Sequence, residues 1–113
     1  MKGIIVYNSI IPKLLSWVIE IYAITLFPFI FIRDDGNIVT ENHENIHIAQ
    51  YGELFVFGFL FLYVFDFLKG LIKYRNKEKA YMMIRFEQEA FEMEKDLDYL
   101  DNREKFVWRK YQV

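Results

Sequence analysis

The sequence holds no cysteine and only two histidines, and those scarcities exclude much of metal and redox chemistry at once. Without cysteine there is no disulfide scaffold, no thiolate zinc knuckle, no iron–sulfur cluster and no thiol nucleophile. Any metal must be held by His43, His47 and carboxylates. A basic excess is lacking too. The 14 Lys and Arg face 16 Asp and Glu, for a net charge of −2, which argues against a nucleic-acid partner. No repeat, low-complexity tract or Pro/Gly/Ser linker breaks the chain. No secretory signal is read, because the apolar run Ile4–Tyr7 is short and Asn8, Ser9 and Pro12 interrupt it. The 113 residues are expected to form one domain, 1–113.

What abounds is apolar and aromatic: 54% of residues are hydrophobic and 19% aromatic, a composition incompatible with intrinsic disorder. Charge is unevenly placed. Lys69, Lys73, Arg75, Lys77 and Lys79 follow directly on the greasiest stretch of the chain. An apolar run trailed by a basic cluster predicts contact with a membrane from its cytoplasmic side.

The pattern predicts a short strand at Ile4–Tyr7 and a short helix from Pro12 to about Trp17. Residues 18–33 are β-branched and aromatic, with Pro28 in the middle. Two strands are preferred there over a transmembrane helix at 14–32, which Pro28 and Glu20 oppose. After a turn at Asp34–Asn37, Thr40 reads as the cap of a helix running from Glu41 to Tyr74, with only Gly52, Gly58 and Gly70 to interrupt it. Leu54–Phe65 is apolar on every side of that helix, so the segment 53–72 is expected in lipid or at an interface between copies. Asp66 and Lys69 make dipping more natural than spanning. Asn76 should cap a helix over 77–97, and Asp101 with Glu104 has capping-box spacing for a last one to about Arg109. Lys79/Glu78 and Arg85/Glu89 read as solvated surface pairs.

Residues 43–47 read His-Glu-Asn-Ile-His. Residues four apart stack on one helix face, so His43 and His47 can present both imidazoles to a single ion. Glu44 projects beside them, placed to accept a proton from a water that the ion activates. Two histidines fall four apart by chance about 1.7% of the time, and a Glu after the first lowers that to about 0.2%. A catalytic zinc needs a third protein ligand, here an acid. Along the helix from Ala80, Glu87 falls inside the apolar arc, Glu89 at its margin and Glu94 inside it two turns on. A carboxylate on a buried face is costly without a cation, and Ala90 leaves room for close approach. Glu87 is therefore the preferred ligand, with Glu89 and Glu94 as alternatives. Gln50 lies on the ligand face, where it orients a ligand or simply packs. Tyr51, Tyr74 and Tyr81 are candidate donors to an oxyanion, although packing is the commoner role.

His43-Glu44-Asn45-Ile46-His47 followed by Glu87-Gln88-Glu89-Ala90 resembles the gluzincin metallopeptidases, in whose prenyl-protein and heat-shock membrane protease branch a Glu-x-x-Ala-Asp helix supplies the third ligand. Glu87 and Ala90 match, whereas Phe91 stands at the Asp position. The pattern is also similar to short bacterial proteins that combine His-Glu-x-x-His-x-x-Gln, an aromatic helix, Tyr-Arg-Asn and Phe-Glu-x-Glu-Ala, over about residues 26–111. The resemblance implies an α+β, mostly α, minimal zincin-like core. A β-hairpin or edge strand, a long His-Glu-x-x-His helix running into the hydrophobic segment, and a C-terminal helix carrying the third ligand would compose it. Such an edge, here Phe29–Ile32, could pair with a peptide, or equally wall the core.

The expectation is a membrane-associated zinc metallopeptidase. His43, His47 and Glu87 would hold Zn2+, Glu44 would be the general base, and a peptide or protein would be the substrate. The rival reading is a non-enzymatic module that binds a membrane or partner and keeps a structural metal or none, with homo-oligomers through the apolar helix possible in either case. A small assembly protein using only that helix would leave the histidine spacing an accident.

Overall fold

The computed structural model describes residues 2–15 and 22–113. The chain is α+β and mostly helical. Strand β1 (Ile4–Val6) leads to helix α1 (Ile11–Leu15), then strands β2 (Ala23–Leu26) and β3 (Phe29–Ile32). Helices α2 (Ile38–Glu53), α3 (Phe57–Tyr74), α4 (Lys77–Met82), α5 (Arg85–Met93) and α6 (Tyr99–Asn102) follow, with a 3-10 turn at Val107–Lys110.

The sheet order is β1-β3-β2. β2 and β3 form a hairpin in which Leu26 pairs with Phe29 across Phe27–Pro28, and β1 joins β3 in parallel. The hairpin excludes the transmembrane helix weighed for this region. The expected strand residues 18–21, and Trp17, lie outside the described residues. Phe29–Ile32 turns out to be the central strand rather than an edge. Its alternating pattern sends Ile30 and Ile32 into the core, fully buried with Ile48 of α2, and leaves Phe29 exposed. The edge beside α2 is β2.

Thr40 does not cap α2. Asn37 does: its side chain accepts from the Thr40 backbone N–H at 2.9 Å, so the helix starts three residues earlier than expected. The predicted helix 41–74 is also two helices, bent by 114° at Leu54–Val56. No glycine makes the corner. Phe55 and Val56 themselves adopt left-handed backbone, at φ of 55° and 65°. That costs about 1–3 kcal/mol per residue. The Tyr51 carbonyl accepts from both Leu54 and Val56, at 3.1 and 3.0 Å, and the bend brings Phe59 flat against Tyr51 at 3.8 Å between ring centroids. Phe59 in turn stacks on Phe86 at 4.5 Å, and Trp108 meets Phe86 edge-on at 5.0 Å. Each ring buried this way contributes about 1.5–3 kcal/mol, enough to hold the strained corner. Gly58 gives clearance there, since a Cβ would lie 3.2 Å from that of Leu54.

Two later boundaries differ as well. Asn76 caps α4 as predicted, its side chain accepting from the Lys79 N–H at 2.9 Å, but the helix breaks at Met83–Ile84 and resumes as α5. Asp101 lies inside α6 instead of opening a helix to Arg109. Tertiary ion pairs dictate this path. Arg103 donates to Glu53 at 2.8 Å and to Glu89 at 3.1 Å, and the Phe106 N–H bonds Glu53, which pins the chain where a further helix would have begun. Beyond it, Lys73 donates to the Val113 carbonyl at 3.1 Å and Gln88 to that of Gln112 at 2.7 Å. The expected surface pair Arg85/Glu89 does not form. Arg85 makes a two-pronged bond to Asp66, itself 1% exposed, and Glu89 is fully buried.

Candidate metal centre

Helix periodicity puts His43 and His47 one turn apart on the buried side of α2, and α5 crosses that side with Glu87 directly opposite. Glu87 Oε1 lies 3.0 Å from His43 Nε2 and 3.1 Å from His47 Nε2. His43, Glu44 and His47 each offer a ligand atom within 4.8 Å of the others. All four side chains are buried. His43, Glu44 and His47 make a cluster that could bind a metal ion, and Glu87 lies against both of its rings.

Of the three acids weighed as third ligand, the fold brings only Glu87 against both rings. Glu94 reaches the far nitrogen of His43, Nδ1, at 3.0 Å. Glu89 points the other way, held by Arg103, by the Tyr99 hydroxyl at 2.7 Å and by Gln50 at 3.0 Å. Phe91, at the position where the resembled family has Asp, packs edge-on against the His43 ring with centroids 4.5 Å apart. Glu94, nearly one turn later, provides the carboxylate behind that ring.

The hydrogen-bond inventory shows whether the residues fit a cation. Gln50 Nε2 donates to the Phe86 carbonyl at 3.1 Å and to Glu89. Both partners are pure acceptors, so Gln50 Oε1 is the atom that faces His47 Nδ1 at 2.7 Å, and Nδ1 must carry the proton. His43 Nδ1 likewise faces an acceptor, Glu94. A neutral ring then has only a lone pair at Nε2, and both lone pairs face a carboxylate oxygen. Three acceptors converging on one point require positive charge there, as protons on the rings or as a metal ion. The N···O separations lie a few tenths short of the roughly 3.3 Å expected between ligands of tetrahedral zinc with bonds of about 2.0–2.2 Å. The donor set therefore fits a divalent cation.

The electrostatics follow from the same crowding. Burial works against charge on His47, but the Glu87 carboxylate outweighs it and pushes the pKa up to about 9. His43 is raised for the same reasons. Burial alone would raise Glu87; the two imidazoles hold it well below the ordinary carboxylate range.

Several neighbours carry no signal in sequence. Tyr63 donates to Glu87 Oε2 at 2.6 Å, which leaves Oε1 to the imidazoles. Only the unforeseen corner at 54–56 brings Tyr63 there. Thr25 of β2 donates to Glu44 Oε2 at 2.8 Å and fixes that carboxylate beside the histidines. Among the tyrosines considered as oxyanion donors, Tyr51 is committed to the Thr25 carbonyl at 2.8 Å, and Tyr74 stacks under Lys73 and Lys79. Of the three, Tyr81 lines both clefts at the cluster. Burial raises its phenol, and Glu87 reinforces the shift.

Two clefts meet at this cluster. One, of about 550 Å³, reaches His43 and Glu44 past Tyr22, Asn37 and Phe91. The other, of about 240 Å³ and almost wholly apolar, reaches Glu44, His47 and Glu87 past Leu26, Leu60 and Phe67. Ala23, Glu44 and Tyr81 belong to both. Comparison with known proteins returns no matching family model, no matching curated protein and no matching solved structure. The likeness to zincins rests on the His-Glu-x-x-His triad alone.

Proposed function

We propose that the protein is a zinc-dependent peptidase, with His43, His47 and Glu87 as ligands and Glu44 as general base. One observation carries the reading: two imidazole lone pairs and one carboxylate oxygen converge within coordination reach, with a second carboxylate beside them where two clefts join. A zinc ion held there would supply Lewis acidity toward a water and a carbonyl. The chain's own residues would do the remaining work. Gln50 and Glu94 hold the two Nδ1 protons, so that both Nε2 atoms keep their lone pairs inward. Thr25 aims Glu44, which takes a proton from the attacking water and later returns it to the leaving amine. Tyr81, which lines both clefts, would donate to a developing oxyanion. An extended peptide suits a groove that runs on both sides of Glu44 along strand β2.

The test is metal content and turnover of a peptide library by the wild type and Glu44→Gln. Zinc retained in both, with turnover in the mutant lowered about 10²–10⁴-fold, is the expected result. Unchanged cleavage removes Glu44 from its role. A preparation made without chelators that carries no metal and takes none up removes the centre. A non-enzymatic module with a structural ion would bind zinc and cleave nothing in either form.

A further inference from the structure

Among the described residues nothing covers one face of helix α3. Its inner side, Phe59, Asp66 and Gly70, is buried against α2, α4 and α5. Gly70 lies so close to α4 that a Cβ would stand 3.0 Å from the Ala80 Cα. The outer side carries Phe57, Phe61, Val64, Phe65, Leu68 and Ile72, at helical spacing and all exposed, Phe57 by 82% and Ile72 by 80%. Phe55, 87% exposed at the corner, extends the row. These four phenylalanines alone expose on the order of 600 Å², taking about 200 Å² per ring, the upper range of apolar patches on monomers.

We infer that this face docks flat on a lipid bilayer bearing anionic headgroups. Among the described residues no single helix is long and apolar enough to cross a membrane, so α3 would lie along the surface instead of spanning it. Two observations favour lipid over a protein partner. The row of seven side chains presents no donor, acceptor or charge, whereas protein interfaces carry about one hydrogen bond per 100–200 Å². Hydrocarbon asks for none. Charge is complementary as well. Lys69, Lys73, Arg75, Lys77 and Lys79 are all exposed at the end of α3 and the start of α4, with Glu78 the only acid among residues 69–79, on a chain whose net charge is −2. Such a cluster beside an apolar strip matches anionic headgroups.

The face is continuous with the candidate site. Leu60, 38% exposed at the margin of the strip, also lines the apolar cleft that ends at His47 and Glu87. Resting on the peptidase reading, this continuity assigns the substrate class: an apolar peptide segment entering from the lipid interface. The docking itself stands without that reading.

The experiment is flotation of the full chain with vesicles of phosphatidylcholine alone or with one quarter phosphatidylglycerol, plus light scattering without lipid. Wild type should float with the mixed vesicles at least tenfold better than with neutral ones. Phe61→Ser/Phe65→Ser should abolish flotation while the circular dichroism spectrum stays unchanged. Lys69→Glu/Lys77→Glu, which leaves the apolar row intact, should lose the preference for the anionic lipid. Protein that stays in the load fraction with both vesicle types overturns the inference. So does a wild-type dimer that the Phe61→Ser/Phe65→Ser change splits and that never floats, because a second copy then covers the face. Flotation without peptidase activity would leave the docking standing and remove only the substrate assignment.

Discussion

Along α2, Asn42, His43, Glu44, Asn45, His47 and Gln50 are buried, while along α3, the next helix, Phe57, Phe61, Val64, Phe65, Leu68 and Ile72 are exposed. Adjacent stretches of one chain thus reverse the usual distribution of polar and apolar groups in opposite directions. The reversal in α2 is compensated within the molecule. Asn42 donates to the carbonyls of Glu94 and Asp96, Asn45 accepts from the Gly3 N–H and donates to the Glu41 carbonyl, and Gln50 bridges His47 to Glu89. In α3 nothing within the described residues compensates the exposed rings. Buried polarity with every partner in place marks a built site, and exposed greasiness without partners marks a surface that meets something else.

Four measurements sharpen or break that contrast. Arg103→Met should have the largest effect. It leaves Glu89, fully buried, and Glu53 without their cation, and should lower unfolding free energy by about 3–5 kcal/mol in urea melts. A loss below 1 kcal/mol would show that the polar network on α2 is incidental. Next comes pH. His47 has its folded pKa pushed up from 6.5 to about 9, so in chelator-stripped protein its pairing with Glu87 stabilises the fold fully below about pH 6.5. That stability fades as pH rises through 9. Metal must displace the same proton, so zinc affinity should climb between pH 6.5 and 9 by up to about tenfold per unit and then level off. Competition with a chelating dye reads this directly, and a flat profile contradicts the shared lone pair.

Tyr63→Phe removes one bond to Glu87 Oε2 and should weaken zinc binding about 10-fold, with little change in secondary structure. Equal affinity would make the hydroxyl a bystander. Phe61→Ser, on the bare face, should change unfolding free energy by no more than about 0.5 kcal/mol. A drop of 2 kcal/mol or more would mean the ring is packed after all, and the contrast between the helices would collapse.

Much of this was legible in the sequence, and what was missed has a common cause. The pairing of His43, Glu44 and His47 follows from helical period alone, and Pro28 gave away the hairpin. Asn76 declared its own cap. Glu87 could be preferred because a carboxylate in the arc of Phe86, Ala90 and Phe91 needs a cationic partner. The corner at Phe55–Val56 could not be read, because aromatic and β-branched residues seldom adopt left-handed backbone and only the stacking of Phe59 on Tyr51 and Phe86 stabilises it there. Tyr63 stayed hidden behind that corner. Arg85 and Glu89 looked like neighbours on a wet face since helical spacing reveals only local partners. Their true ones, Asp66 and Arg103, lie 19 and 14 residues away. Asn37 ends a turn-forming run, Asp34–Asn37, whose composition masks its second role as the cap of α2.

The clamp made by Arg103 has a consequence for how the molecule comes into being. Glu53 closes α2 and Glu89 sits in α5, yet the cation that neutralises both lies 50 residues beyond the first and 14 beyond the second. A chain that has reached residue 102 carries every histidine and carboxylate of the cluster but not the guanidinium that bridges Glu53 of α2 to Glu89 of α5. The clamp therefore closes only once residue 103 has joined the chain, well after the exposed rings of α3.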